Sequence, residues 1–161
     1  MGLLGWAVGK GSTPVDDWFQ RANGGVLGWL LFFTDQRTTL VILVAALGLA
    51  AYRRRWLLLA VVAVSPVAAV WLSRLFKELF GRTKGGAVAY PSGHITLMVV
   101  VLGLALLVVG ARLYAVVAVV WALLGMLGQS VTYHYFTDAV GGLLLGSAIV
   151  CSVFAVIGQN N

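Results

Sequence analysis

The sequence predicts an all-α protein: a polytopic transmembrane helical bundle of five spans, preceded by a partial or interfacial N-terminal helix. Three observations carry this prediction. Of 161 residues, 61% are hydrophobic, and the mean hydropathy is +0.98, whereas a soluble domain is nearer half apolar. The apolar residues fall in runs approaching the ~20 residues that a spanning helix needs. The charged residues, 11 basic and 5 acidic, gather in short stretches between those runs. The length fits one domain, residues 1–161. A lone cysteine, Cys151, excludes an internal disulfide. The net charge of +6 suits lipid headgroups or an anionic substrate. Nucleic acid is not an expected partner, because the charges form neither a helix stripe nor a tail.

Each element follows in order. "MGLLGWAVGK" is too short to span and too weakly charged at its start for a signal peptide; it is consistent with the stub of a further helix. "PVDDWFQRANGGVLGWLLFF" reads either as an amphipathic segment in the membrane interface, with Trp18 and Trp29 as belt residues, or as a loop and an early start to the first span. The spans are Thr38 to Tyr52, Trp56 to Phe76, Ile95 to Val109, Leu113 to Gly128 and Ala139 to Ile157. Pro66 lies inside the second, where membrane helices tolerate it. The third and fourth are strictly apolar for only about 15 residues and need flanking polar residues to cross ~30 Å. Gly142 and Gly146 form a G-x-x-x-G in the fifth, which reads as helix packing. Arg53, Arg54, Arg55 and Arg112 fall in turns on one side, which the positive-inside rule makes cytoplasmic.

Counting crossings brings the remaining polar residues together. Lys77, Arg82 and Lys84 leave span two, His94 opens span three, and His134 and Asp138 open span five. All six fall on the side opposite the arginine turns, and they include both histidines of the chain. Ionisable residues near membrane depth are functional candidates. His134 and Asp138 are four apart, on one helix face, so a carboxylate can fix the imidazole tautomer and leave the other nitrogen free to attack. Ser92 occupies an N-cap position before Gly93 and His94, and a helix start offers free N–H groups to an anion. Two histidines beside cations point to phosphoryl transfer, with one as nucleophile and one as general acid. Three plainer readings stand beside this one. A helix-start histidine, basic residues snorkelling to headgroups (the reading given to Arg74), and a metal held by His94, His134 and Asp138 would use the same residues.

The motifs resemble those of the type-2 phosphatidic acid phosphatase family of integral membrane lipid phosphatases, which carry K-x6-R-P, then P-S-G-H, then S-R-x5-H-x3-D. "KELFGRTKG" places Lys77 in the first, with Lys84 at the family's arginine and Gly85 at its proline; Arg82 lies just inside it. "PSGH" at 91–94 matches the second, and "HYFTD" supplies His134 and Asp138 of the third. The resemblance covers roughly residues 38–157. It departs at Leu127 and Gly128, where the family has serine and the arginine that clamps the phosphoryl group. Arg82, Lys84 and Arg74 are the candidates to replace that arginine.

The resemblance implies a metal-independent hydrolase with no cofactor, single-domain and integral to the membrane. It implies that His134 attacks phosphorus, Asp138 orients it and His94 protonates the leaving group. Lys77, Arg82, Lys84, Ser92 and Gly93 would hold the phosphate. The expected partner is a membrane lipid in the bilayer: a polyprenyl diphosphate first, phosphatidylglycerophosphate or phosphatidic acid next. The expected location is a bacterial plasma membrane, with the site on its extracytoplasmic side. A lipid phosphotransferase and a non-catalytic lipid-binding scaffold are the alternatives.

Overall fold

A computed structural model describes residues 1–158; residues 159–161 of the expected domain lie outside the described residues. The elements in chain order are α1 (Gly2–Ala7), α2 (Pro14–Gln20), a 3₁₀ segment (Val26–Thr34), α3 (Gln36–Tyr52), α4 (Trp56–Phe80), β1 (Thr83–Lys84), β2 (Ala87–Val88), α5 (Gly93–Val109), α6 (Arg112–Val131) and α7 (Phe136–Gly158). The fold is a helical bundle. Four helical stretches, Val26–Tyr52, Trp56–Phe80, Arg112–Val131 and Phe136–Ile157, are long and apolar enough to cross a membrane.

The helix at the third expected span, α5, is apolar but only 17 residues long. It is the central helix, packed by α3, α4, α6 and α7. Ile95, Val100, Leu104 and Val108 are fully buried along it. A helix apolar all round is one buried on every side, so α5 needs no lipid-facing stripe. Its approach to α7 is close. A Cβ at Gly142 would lie 2.5 Å from the Ser92 carbonyl oxygen, and one at Gly146 would lie 2.8 Å from Val99 Cβ. The G-x-x-x-G therefore packs inside the molecule. Pro66 is buried within a continuous α4.

The helices run past the apolar limits read from the sequence. Asp35 caps α3, its Oδ1 accepting from the N–H groups of Arg37 (2.9 Å) and Thr38 (3.1 Å). α4 continues to Phe80, α6 to Val131, and α7 begins at Phe136. Lys77, Gln129, Ser130 and Asp138 thus ride on helices. At the opposite end, Arg53 Nη1 donates to the Val108 carbonyl at 2.6 Å, which sets the α3–α4 turn beside the end of α5 and the α5–α6 turn.

The segment from Pro14 to Phe33 is not one amphipathic helix. It breaks at residues 21–25 into α2, which lies over the α6–α7 junction, and the 3₁₀ segment, which runs along α6. Trp121 Nε1 donates to Phe33 O at 2.8 Å, and Gln129 Nε2 donates to Thr34 Oγ1 at 2.8 Å.

Candidate active site

The end of the bundle opposite the arginine turns holds a cavity of about 380 Å³. Ser73, Arg74 and Lys77 of α4, Gly93 and His94 of α5, and His134 of the α6–α7 junction line it, together with Thr34, Gln36 and Thr39. The two imidazole rings face each other with centroids 6.3 Å apart, too far for a ring-to-ring hydrogen bond. His94 is exposed to the cavity, whereas His134 is buried.

His134 is held by its backbone. Its N–H donates to Gln129 O at 2.9 Å, and its carbonyl accepts from Gln20 Nε2 and Lys84 Nζ, both at 3.1 Å. Its Nδ1 lies 3.8 Å from Asp138 Oδ2 and has no hydrogen-bond partner. That separation exceeds a hydrogen bond, so Asp138 faces the nitrogen without yet engaging it. The PSGH turn is tied to the same place, because Ser92 N–H donates to the Asp138 carbonyl at 2.9 Å. Both histidines are thereby fixed to one short stretch of backbone.

Of the residues expected to hold phosphate, Lys77 and Gly93 line the cavity. Lys77 Nζ donates to Val88 O at 2.9 Å and has further N–H groups to give. Ser73 Oγ lies beside Gly93, 3.4 Å from where a Cβ would be. Ser92 is fully buried and serves as the α5 N-cap, its Oγ accepting from Ile95 N–H at 3.5 Å.

The structure does not bring Arg82 or Lys84 into the cavity. Arg82 is 0% exposed. Its Nε and Nη2 donate to Gly11 O, Nη2 to Asp16 Oδ2 (2.7 Å), and Nη1 to Thr137 Oγ1 (2.6 Å) and Asp138 Oδ1 (2.8 Å). Those bonds use all five guanidinium donors, and Tyr135 covers the face, its ring centroid 4.6 Å away. Lys84 Nζ donates to Gln20 Oε1, Thr132 O and His134 O at 2.8–3.2 Å, which uses its three donors. Burial lowers the Lys84 pKa, against the opposing charges of Asp138 and Asp16. Both cations brace the stretch carrying His134.

Gly85, at the family's proline, is the first residue of a Gly85–Gly86 turn joining β1 to β2, with φ of 58° and 82°. Such a turn needs positive φ at both positions, which proline, fixed near −65°, cannot adopt. Gly128, at the family's arginine, lies under the 3₁₀ segment. A Cβ there would be 2.6 Å from Leu30 C and 2.8 Å from Leu31 N.

One residue was not expected here. Asp16 enters from α2, is 0% exposed, and completes an Asp16–Arg82–Asp138 ion cluster. Burial raises its pKa, but N–H groups of Thr137 and Thr13, the Thr13 hydroxyl and Arg82 outweigh it, so the carboxyl is held below its ordinary 3.8. The capping box Thr13-x-x-Asp16 is visible in the sequence, but its partners across the fold are not. Arg74, the third of the sequence candidates for the missing arginine, does line the cavity, one turn before Lys77 on α4. Tyr90, whose hydroxyl donates to Met1 O at 2.6 Å, has its pKa pushed up to about 12 by burial and by Asp138, against Arg82. Among the described residues, no three His, Cys, Asp or Glu side chains gather as a metal-ligand set.

No family model, curated protein or solved structure matches the chain.

Proposed function

We propose that the chain is an integral membrane phosphatase that removes phosphate from a lipid phosphate or diphosphate through a phosphohistidine. The observation that carries this reading is the pairing of His94 and His134 across one cavity, 6.3 Å between ring centroids, with Lys77 beside them and Asp138 behind His134. His134 Nε2 attacks phosphorus; the P–N bond forms as the P–O bond to the lipid breaks, and His94 gives its proton to the leaving oxygen. Water then attacks the phosphohistidine, His94 takes its proton, and the P–N bond breaks. Asp138 closes onto Nδ1 as the imidazole gains charge; catalytic hydrogen bonds that are long in a free enzyme tighten in the complex.

A lipid substrate is supported by a second cavity of about 310 Å³, in which Leu40, Leu43, Leu97 and Val101 form an apolar wall and Arg37, Gln36 and Thr39 a polar one. It shares Gln36, Thr39 and Leu97 with the histidine cavity, so a headgroup and the start of its tail fit side by side. A polyprenyl diphosphate is the first choice, then phosphatidylglycerophosphate and phosphatidic acid. In this reading five helices cross the membrane, α5 within a sheath of the other four. The arginine turns mark the cytoplasmic side, which leaves the site on the outer face of a plasma membrane.

The test is phosphate release by purified protein in detergent with EDTA, over those three lipids. Release is expected from at least one and is expected to vanish in His134→Ala. Release undiminished in that variant would sink the mechanism, and none from any lipid would sink the hydrolase reading.

A further inference from the structure

We infer that Arg74 is the clamp on the transferring phosphoryl group, in place of the arginine whose position Gly128 occupies. The inference rests on the phosphatase reading above and deepens it by assigning the charge that holds the phosphate.

Three observations narrow the choice to Arg74. The Gly128 position is closed by the backbone of Leu30 and Leu31, so no side chain reaches the cavity from there. Arg82 has spent all its donors on Gly11, Asp16, Thr137 and Asp138, and Lys84 has spent its own on Gln20, Thr132 and His134. Among the described residues, the cavity is lined by two basic side chains, Lys77 and Arg74.

The position of Arg74 fits the task. Val70, Ser73, Arg74 and Lys77 all line the cavity, and their spacing of three, four and seven makes one face of α4. Arg74 has no hydrogen bond or ion pair among the described residues, so its whole fork is free to bind. A guanidinium meets two phosphate oxygens with parallel N–H groups, which the point charge of Lys77 cannot do. The clamp sits on a continuous helix, while the nucleophile comes from the α6–α7 junction. The two groups that must meet at phosphorus are thus set by separate, rigid supports.

The competing account is an arginine that only reaches for headgroups at a helix end. The two differ in what Arg74→Gln does. We would measure kcat/KM for phosphate release from the preferred lipid, and inorganic phosphate binding by calorimetry, for wild type, Arg74→Gln and Arg74→Lys in detergent. The clamp predicts a loss of about 10²-fold in kcat/KM for Arg74→Gln, the effect of removing one donor to a developing anion. It also predicts inorganic phosphate affinity at least about tenfold weaker, partial recovery of both in Arg74→Lys, and an unchanged melting temperature without phosphate. Wild-type turnover and phosphate affinity in Arg74→Gln, with wild type active, would overturn the clamp and leave the phosphatase reading standing. A wild type that neither binds inorganic phosphate nor releases it from any lipid would overturn both.

Discussion

Arg74 and Arg82 lie close together in the chain and carry the same charge, but their surroundings are opposite. Arg82 is sealed from solvent, with every donor engaged and a carboxylate on either side. Arg74 is exposed, borders the cavity and has no protein partner among the described residues. A cation that is already paired is a structural part, and a cation left free beside a cavity is available to a ligand. Nearness to a motif does not separate the two cases; an account of donors and acceptors does.

The sharpest way to break this comparison is Arg82→Gln. It leaves Asp16 and Asp138 buried without their cation, and removing one partner from a buried ion cluster costs about 3–5 kcal/mol. The expected result is a large drop in melting temperature in detergent, together with lost turnover as the His134 stretch loosens. A variant as stable as wild type would show that Arg82 does not hold the cluster together. Gly128→Arg comes next. It puts an arginine where the resembled motif has one but drives a side chain into the Leu30 backbone, and overpacking of this kind costs about 1–3 kcal/mol. Denaturation should show the loss, and turnover should not rise; a more active variant would mean that the 3₁₀ segment yields and the absent arginine is a true deficit.

Asp16→Asn gives the clearest pH signature. The amide oxygen still accepts on one side, but the NH2 group faces donors on the other, so the loss at neutral pH should be about 1–3 kcal/mol. The Asp16 carboxyl is held below its ordinary 3.8 in the fold. Its contribution is therefore fully present above that value and is lost as pH falls through the lower folded value. Denaturation of the two proteins at a series of pH values should show a constant gap near neutrality that closes below about pH 4. A gap that persisted into strong acid would mean that Asp16 is not an ionised partner of Arg82.

Much of the scaffold is legible in the sequence because its causes are local. Apolar runs of near-spanning length, Asp35 and Ser92 as caps, and Gly85–Gly86 as a turn each act within a few residues. The helix ends were harder to read, because α4, α6 and α7 continue into polar residues whose partners lie on other helices. The lining of the site by Lys77, Gly93, His94 and His134 follows from counting crossings, since a helical hairpin returns the chain to the side it left.

What only the tertiary structure decided is which polar groups are spent on each other. Asp16 reaches Thr137 and Arg82 from a distant part of the chain, and Gln20 reaches Ser130 and His134 in the same way. These pairings turn Arg82 and Lys84 away from the cavity and leave Arg74 and Lys77 facing it. The physical reason is that a hydrogen bond or a close contact depends on positions in space. A sequence shows that Gly128 lacks a side chain; only the packed chain shows that Leu30 fills the space that side chain would need. The composition, the motif order and the helical spacing were set by the sequence alone, and the division of the cations into braces and free groups was set by the fold.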